Sequence, residues 1–280
     1  MSSIKTIIAP TDFSKAADEA IWYAAELAYK FDAHLILYHS FIGYESGFYP
    51  LSQSRRENED TRKNLVRKLD VIKSALRKSG NDARISVTVE RGPENLRLLE
   101  FCEKKNADMI VMGTIGATAK REVVMGSFAA KTMINANCPV LAVPSGCKDK
   151  IPAKITYATS YDKKDIKAVV FLSEFQTHLN SSICILHIDN GENTELSDDF
   201  AFNDYKAAVQ KKFNKLKLNF KHTRGEDISK EILKICEKDN TDLLALSPRK
   251  KKGFFDKLFH KSITKKTAYS IRIPLLAIPA

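Results

Sequence analysis

The sequence predicts an α/β protein built as two tandem domains, each a five-stranded parallel sheet sandwiched between helices. Three observations carry this reading. Blocks of the first half recur in the same order in the second, and short apolar runs alternate with segments of helical periodicity. The composition is also that of an ordinary globular chain: 280 residues, 44% hydrophobic and 28% charged, with only 11 Gly and 9 Pro. That length accommodates two domains of average size, and so few Gly and Pro argue against a disordered or fibrous chain.

The repeat rests on four blocks. Cys102, Glu103, Lys104, Asn106 and Asp108 precede an apolar run, and Cys236, Glu237, Lys238, Asn240 and Asp242 do the same at an offset of 134. Arg91 and Gly92 match Arg224 and Gly225 upstream, and the closing run from Pro139 to Pro144 matches that from Pro274 to Pro279. Near the two starts, 4–12 aligns with 153–161. A period this long marks a duplicated domain, since solenoid repeats run to roughly 20–50 residues. The joint falls in the polar segment 145–152, which gives domains 1–149 and 150–280.

Within the first half the elements follow in order. Thr6 to Ala9 reads as a short buried strand. Residues 14–29 show helical spacing through Ala17, Ile21, Ala24, Ala25 and Ala28, with Ser14 as N-cap and acidic Asp18 and Glu19 near the positive helix end. A strand at 34–39 and a helix at 57–78, with Leu65, Leu69, Ile72 and Leu76 on one face, come next. Alternation at 85–89 gives a third strand, followed by a helix at 95–105 and a strand at 109–112. A helix at 127–135 and a strand at 140–143 complete the half. Five apolar strands separated by four helices call for a parallel sheet covered on both faces. In such sheets ligands bind outside the carboxyl ends of the strands, where the strand order switches. Function is therefore sought after strands one and four.

Several classes are excluded on composition. No run approaches ~18 consecutive apolar residues, so no membrane span is expected. The N-terminus reaches charge too early for a secretory leader. The five cysteines (102, 138, 147, 184 and 236) form no close pair in sequence, and Cys102 and Cys236 fall on apolar helix positions. They read as reduced, packed thiols of a cytoplasmic protein. The six histidines show no paired-ligand spacing, so no metal site is expected.

After strand one stand Pro10, Thr11, Asp12, Phe13 and Ser14. After strand four stand Met112, Gly113 and Thr114, in the pattern Gly113-x2-Gly116-x9-Gly126-Ser127. Glycines allow positive φ and close backbone approach. A Gly-Ser pair opening a helix offers unpaired N–H groups, a hydroxyl and the positive dipole end, which suit phosphate. No P-loop and no GxGxxG opens the first helix, which argues against P-loop hydrolysis and dinucleotide binding.

Together with the closing apolar strand before Pro144, these motifs resemble the universal stress protein family, in two copies over essentially the whole chain. The resemblance implies a Rossmann-like domain of the adenine-nucleotide α-hydrolase type, with ATP as ligand, with or without Mg2+. It implies that Asp12 contacts the adenosine, that Gly113 lies along the ribose, and that Gly116, Gly126 and Ser127 cradle the phosphates. Pro10, Thr11 and Met112 belong to the same motifs, and Ser40, following His39, falls at the adenine pocket, where the family usually carries an apolar residue. The expected role is a non-enzymatic ATP-binding regulator of the stress response. The alternative is a slow ATPase, although no base is identified beside Ser127 and Asp12 is the one carboxylate placed at the crevice.

The second half departs from this pattern. Aligned across the repeat, Asp12 falls on Tyr161, Gly113 on Ser247 and Gly126 on Lys261, which predicts the loss of standard ATP binding. Net charge divides unevenly, with 21 basic against 18 acidic residues in 1–149 and 24 against 16 in 150–280. Much of the excess lies in 249–266, where eight Lys/Arg surround Phe254, Phe255 and Phe259. That segment reads as a solvated face, with a small anion or an anionic membrane as the next reading and nucleic acid as the least favoured. The acidic stretch 190–199 reads as a loop. The resemblance also implies pairing of the last strands, within the chain as a pseudo-twofold pair or between chains as a homodimer, which would cover two edge strands.

Overall fold

The computed structural model describes residues 4–43, 51–114, 125–147, 151–161, 165–189, 195–248 and 273–279. Gly116 and the basic segment 249–266 lie outside the described residues. The chain divides into two compact units, Ile4–Asp149 and Lys150–Ala280.

The first unit runs β1 (Thr6–Pro10), α1 (Lys15–Phe31), β2 (His34–Phe41), α2 (Leu51–Lys78), β3 (Arg84–Arg91), α3 (Glu94–Lys104), β4 (Met109–Gly113), α4 (Ser127–Asn135) and β5 (Val140–Val143). Its strands are all parallel, in the order β3-β2-β1-β4-β5. The apolar runs at 7–10, 109–112 and 140–143 are buried on both faces, as a helix-covered parallel sheet requires. α1 lays Ala17, Ala20, Ile21, Ala24, Leu27, Ala28 and Phe31 into the core. Ser14 caps it by accepting the Ala17 N–H at 3.2 Å, and Asp32, at φ 52°, ends it in the left-handed conformation. α2 begins six residues before the expected helix, because 51–56 carry no apolar stripe from which helical period could be read.

The second unit repeats the plan with β6 (Lys154–Ala158), α5 (Asp165–Leu179), β7 (Ser182–Asp189), α6 (Glu195–Lys212), β8 (Leu218–Arg224), α7 (Ile228–Lys238), β9 (Leu243–Leu246) and β10 (Leu275–Ala277). The order is β8-β7-β6-β9-β10, again parallel. Residues 195–199, expected in an acidic loop, form the first turns of α6. Among the described residues, no helix is long and apolar enough to cross a membrane.

The duplication extends to atomic detail. Asp108 accepts the N–H groups of Lys5 and Thr6 at 2.8 and 2.9 Å, and Asp242 accepts those of Ala153 and Lys154 at 3.0 and 2.8 Å. Left-handed backbone recurs at Phe13 and Tyr161, Asp32 and Asn180, and Asn106 and Asn240. The first two pairs set the register of the first strands at an offset of 148, one less than the sequence alignment supposed, while Asn106 and Asn240 keep the offset of 134. Asp12 therefore corresponds to Ser160, and Tyr161 corresponds to Phe13. Few identities link these two strand ends, so sequence could not fix the register that backbone pairing imposes.

Candidate functional site

In the first unit the chain turns back between β1 and β4, so the switch point opens at their carboxyl ends. The turn leaving β1 is tightly specified. Thr11 N–H donates to Tyr38 O at 2.9 Å, while Thr11 Oγ1 accepts the Phe13 N–H at 2.9 Å. Asp12 Oδ1 accepts the Ser14 N–H at 3.0 Å. Those short side-chain bonds hold Phe13 at φ 61°, a conformation that costs a bulky residue roughly 1 kcal/mol and needs such support. The Phe13 ring leans on His39 at 4.7 Å, and Lys68 Nζ lies 5.4 Å from its centre.

Asp12 is exposed at the mouth of this turn, and Thr11 and Pro10 are buried beneath it. A second carboxylate joins it. Asp18, one turn into α1, is held above the ordinary aspartate value of 3.8 by partial burial and then by repulsion from Asp12. Sequence reading placed Asp18 in the helix end but not beside Asp12, because that proximity depends on how the turn folds back.

The other wall comes from β4 and α4. Met112 is buried, and a Cβ on Gly113 would stand 3.0 Å from Ala16 C and O. The absent side chain thus serves the close packing of β4 on the first turn of α1. Thr114, buried, accepts the Gly126 N–H at 2.6 Å, which sets the start of α4 against the end of β4. Gly126 is the N-cap of α4, with φ −68° and ψ 153° and no side-chain cap. Its backbone lies in the extended region open to any residue, so positive φ is not what this glycine supplies. Ser127, exposed, begins the helix, and its N-cap, Gly126, has no side chain to accept a first-turn amide as Ser14 does for α1.

Ser40 stands apart from this cluster. It is buried on β2, on the same sheet face as Tyr38 and opposite His39. Tyr38 in turn donates to Glu90 at 3.3 Å and packs on Phe101 at 4.9 Å. Of the sequence-derived residues, Pro10, Thr11, Asp12, Met112, Gly113, Gly126 and Ser127 gather around the switch point. His39, Thr114 and Asp18 complete it and were not anticipated.

The equivalent place in the second unit is packed with aromatic side chains. Tyr161 stacks on His187 at 3.9 Å and contacts Phe202 and Tyr205 at 5.7 and 5.3 Å. Ser247, at the position of Gly113, pairs with the buried Tyr157 hydroxyl at 3.1 Å. Asp165, where the first unit has Ala17, is buried and accepts the Thr159 hydroxyl. Burial, followed by the nearby Asp165, pushes the phenols of Tyr157 and Tyr205 well above the ordinary tyrosine value.

A duplicated, doubly wound parallel α/β domain, with a switch point between β1 and β4 in the first copy, defines the class of this protein. Within that class the family model described as the universal stress protein family matches residues 3–144. The chain belongs to the universal stress protein family. Two universal stress proteins of Methanocaldococcus jannaschii are similar to it. One is 32% identical over 152 residues, covering 52% of this chain and 85% of the relative. The other is 27% identical over 154 residues, covering 50% and 94%. A solved universal stress protein of Archaeoglobus fulgidus matches 99% of this chain and 97% of its own at a TM-score of 0.70. Its sequence identity is 13%, a likeness of fold.

Proposed function

We propose that the first unit binds ATP at the switch point and that the protein acts as a non-enzymatic, nucleotide-responsive regulator in the stress response. The observation that carries this reading is the start of α4, seated against the end of β4 through Thr114 and with a glycine, which has no capping side chain, at its N-cap. First-turn amides and the positive helix end suit a phosphate chain. Gly126 and Ser127 would hold the phosphates, Gly113 would border the ribose, and Asp12 would receive ribose or adenine donors. The groups present fit the ligand in character: a carboxylate at one end of the crevice, backbone donors at the other.

In the second unit Ser160 replaces the Asp12 carboxylate, and aromatic rings fill the equivalent crevice. That unit is read as having lost ATP binding. The last strands, β5 and β10, are read as the family's pairing strands, within or between chains.

Titration calorimetry with ATP tests the binding, with Asp12→Ala expected to weaken it at least tenfold, the scale of a lost charged hydrogen bond. Incubation with ATP and Mg2+ separates binding from turnover. Phosphate release at the buffer rate is expected. Release that Asp12→Ala abolishes would replace the regulator with a slow hydrolase.

A further inference from the structure

The first unit carries a second feature at the opposite end of its sheet, where α3 leads into β4 and α4 leads into β5. A groove of about 320 Å³ opens there between α3 and the turn joining α4 to β5, lined by Leu99, Cys102, Glu103, Asn106, Asn135 and Cys138 among others. Cys102 lies on the buried face of α3, and Cys138 is half-buried in the turn. Sequence reading treats the five cysteines as isolated because none is close to another along the chain. The fold brings these two into one wall of one groove, where Asn137, beside Cys138, donates to Glu103, beside Cys102, at 2.6 Å. Both are free thiols in the structure.

We propose that Cys102 and Cys138 form a redox-active dithiol, which hydrogen peroxide entering the groove converts to an intramolecular disulfide. Cys138 is the more accessible sulfur and reacts first. Its sulfur attacks one peroxide oxygen, an S–O bond forms as the O–O bond breaks, and the departing oxygen takes the thiol proton and leaves as water. The Cys102 sulfur then attacks the sulfenic sulfur of Cys138. An S–S bond forms, the S–O bond breaks, and the Cys102 proton departs with that oxygen as a second water. The two thiols together lose two electrons and the peroxide is reduced to two waters.

The environment assigns the order. The neighbouring Cys138 thiol, followed by burial, pushes the Cys102 thiol above the ordinary cysteine range. Cys102 therefore stays protonated and waits as the resolving partner, since thiolate character governs which sulfur attacks peroxide. Cys147 and Cys236 are buried, and burial raises the thiols of Cys184 and Cys236. The disulfide would tie α3 to the turn that ends α4, the helix whose other end is the candidate phosphate site.

The test is a hydrogen peroxide titration of the full-length protein, followed by alkylation of the remaining thiols and peptide mapping by mass spectrometry. The expected result is loss of two of the five thiols, recovery of one peptide linking Cys102 to Cys138, and its disappearance on reduction. In Cys102→Ser, Cys138 should accumulate as a sulfenic acid that a dimedone probe labels. In Cys138→Ser, Cys102 should remain unmodified at the same dose. Thermal melts of both variants establish that they are folded. Oxidation of Cys147, Cys184 or Cys236 ahead of the pair, or over-oxidation of Cys138 in wild type without a link to Cys102, would overturn the proposal.

Discussion

The Nδ1 atom of His39 stands 2.7 Å from the carbonyl oxygen of Thr11. A carbonyl oxygen only accepts, so the ring carries its proton on that nitrogen. His187 and Thr159 repeat the contact in the second unit at 2.9 Å. In the first unit the same ring supports Phe13 in its left-handed backbone, so one histidine holds both the strand end and the turn that carries Asp12. His39→Ala leaves the Thr11 carbonyl without this donor and the Phe13 ring without this support. Urea denaturation should show a loss of about 1–3 kcal/mol, and ATP affinity should fall because Asp12 is no longer held in place.

Gly113 and Gly126 should separate fold from ligand. A methyl at Gly113 meets Ala16 backbone at 3.0 Å, an overpacking that costs about 1–3 kcal/mol. Gly126 already has a backbone that alanine adopts readily. Gly113→Ala is expected to lower Tm by several degrees. Gly126→Ala should melt close to wild type while binding ATP more weakly. Thermal melts alongside calorimetry check both.

Much of this organisation was legible in the residues. The strand and helix order of the first half followed from apolar periodicity, and the turn after β1 and the start of α4 were located from Asp12 and the Gly126–Ser127 pair. What escaped depended on contacts that only folding creates. The start of α2 is polar all round, so it carried no period. The first turns of α6 are rich in acidic and polar residues and resembled a loop. The one-residue shift that moves Tyr161 from Asp12 onto Phe13 is set by hydrogen-bond register, and Asp18, His39 and the Cys102–Cys138 pair acquire their neighbours through the chain's return.

The paired carboxylates Asp108 and Asp242 should have matching weight. Each accepts two backbone N–H groups at the start of its unit's first strand. Replacing either by alanine removes charge-assisted bonds and should cost about 1–3 kcal/mol. Chemical denaturation of the two single variants checks this, and a loss confined to one of them would contradict their equivalence.

His34 supplies a pH dependence. Partial burial, then Arg84 and Lys105, hold it below the ordinary histidine value of 6.5. The unfolded chain therefore binds the proton more tightly. The stability this group contributes is complete above 6.5 and is lost as pH falls toward its depressed folded value. His34→Gln should shrink the fall in Tm between about pH 7.5 and about pH 5.5. Because the side chain is largely solvated, added salt should shrink the wild-type difference too.

The most direct measurement is the adenine nucleotide bound per chain, taken first by extraction from the purified protein and then by equilibrium dialysis at millimolar ATP. One equivalent per chain, reduced at least tenfold in affinity by Asp12→Ala and by Gly126→Ala, is the expected result. No adenine nucleotide on extraction and no binding at millimolar ATP would contradict the assignment of the first unit as an ATP site.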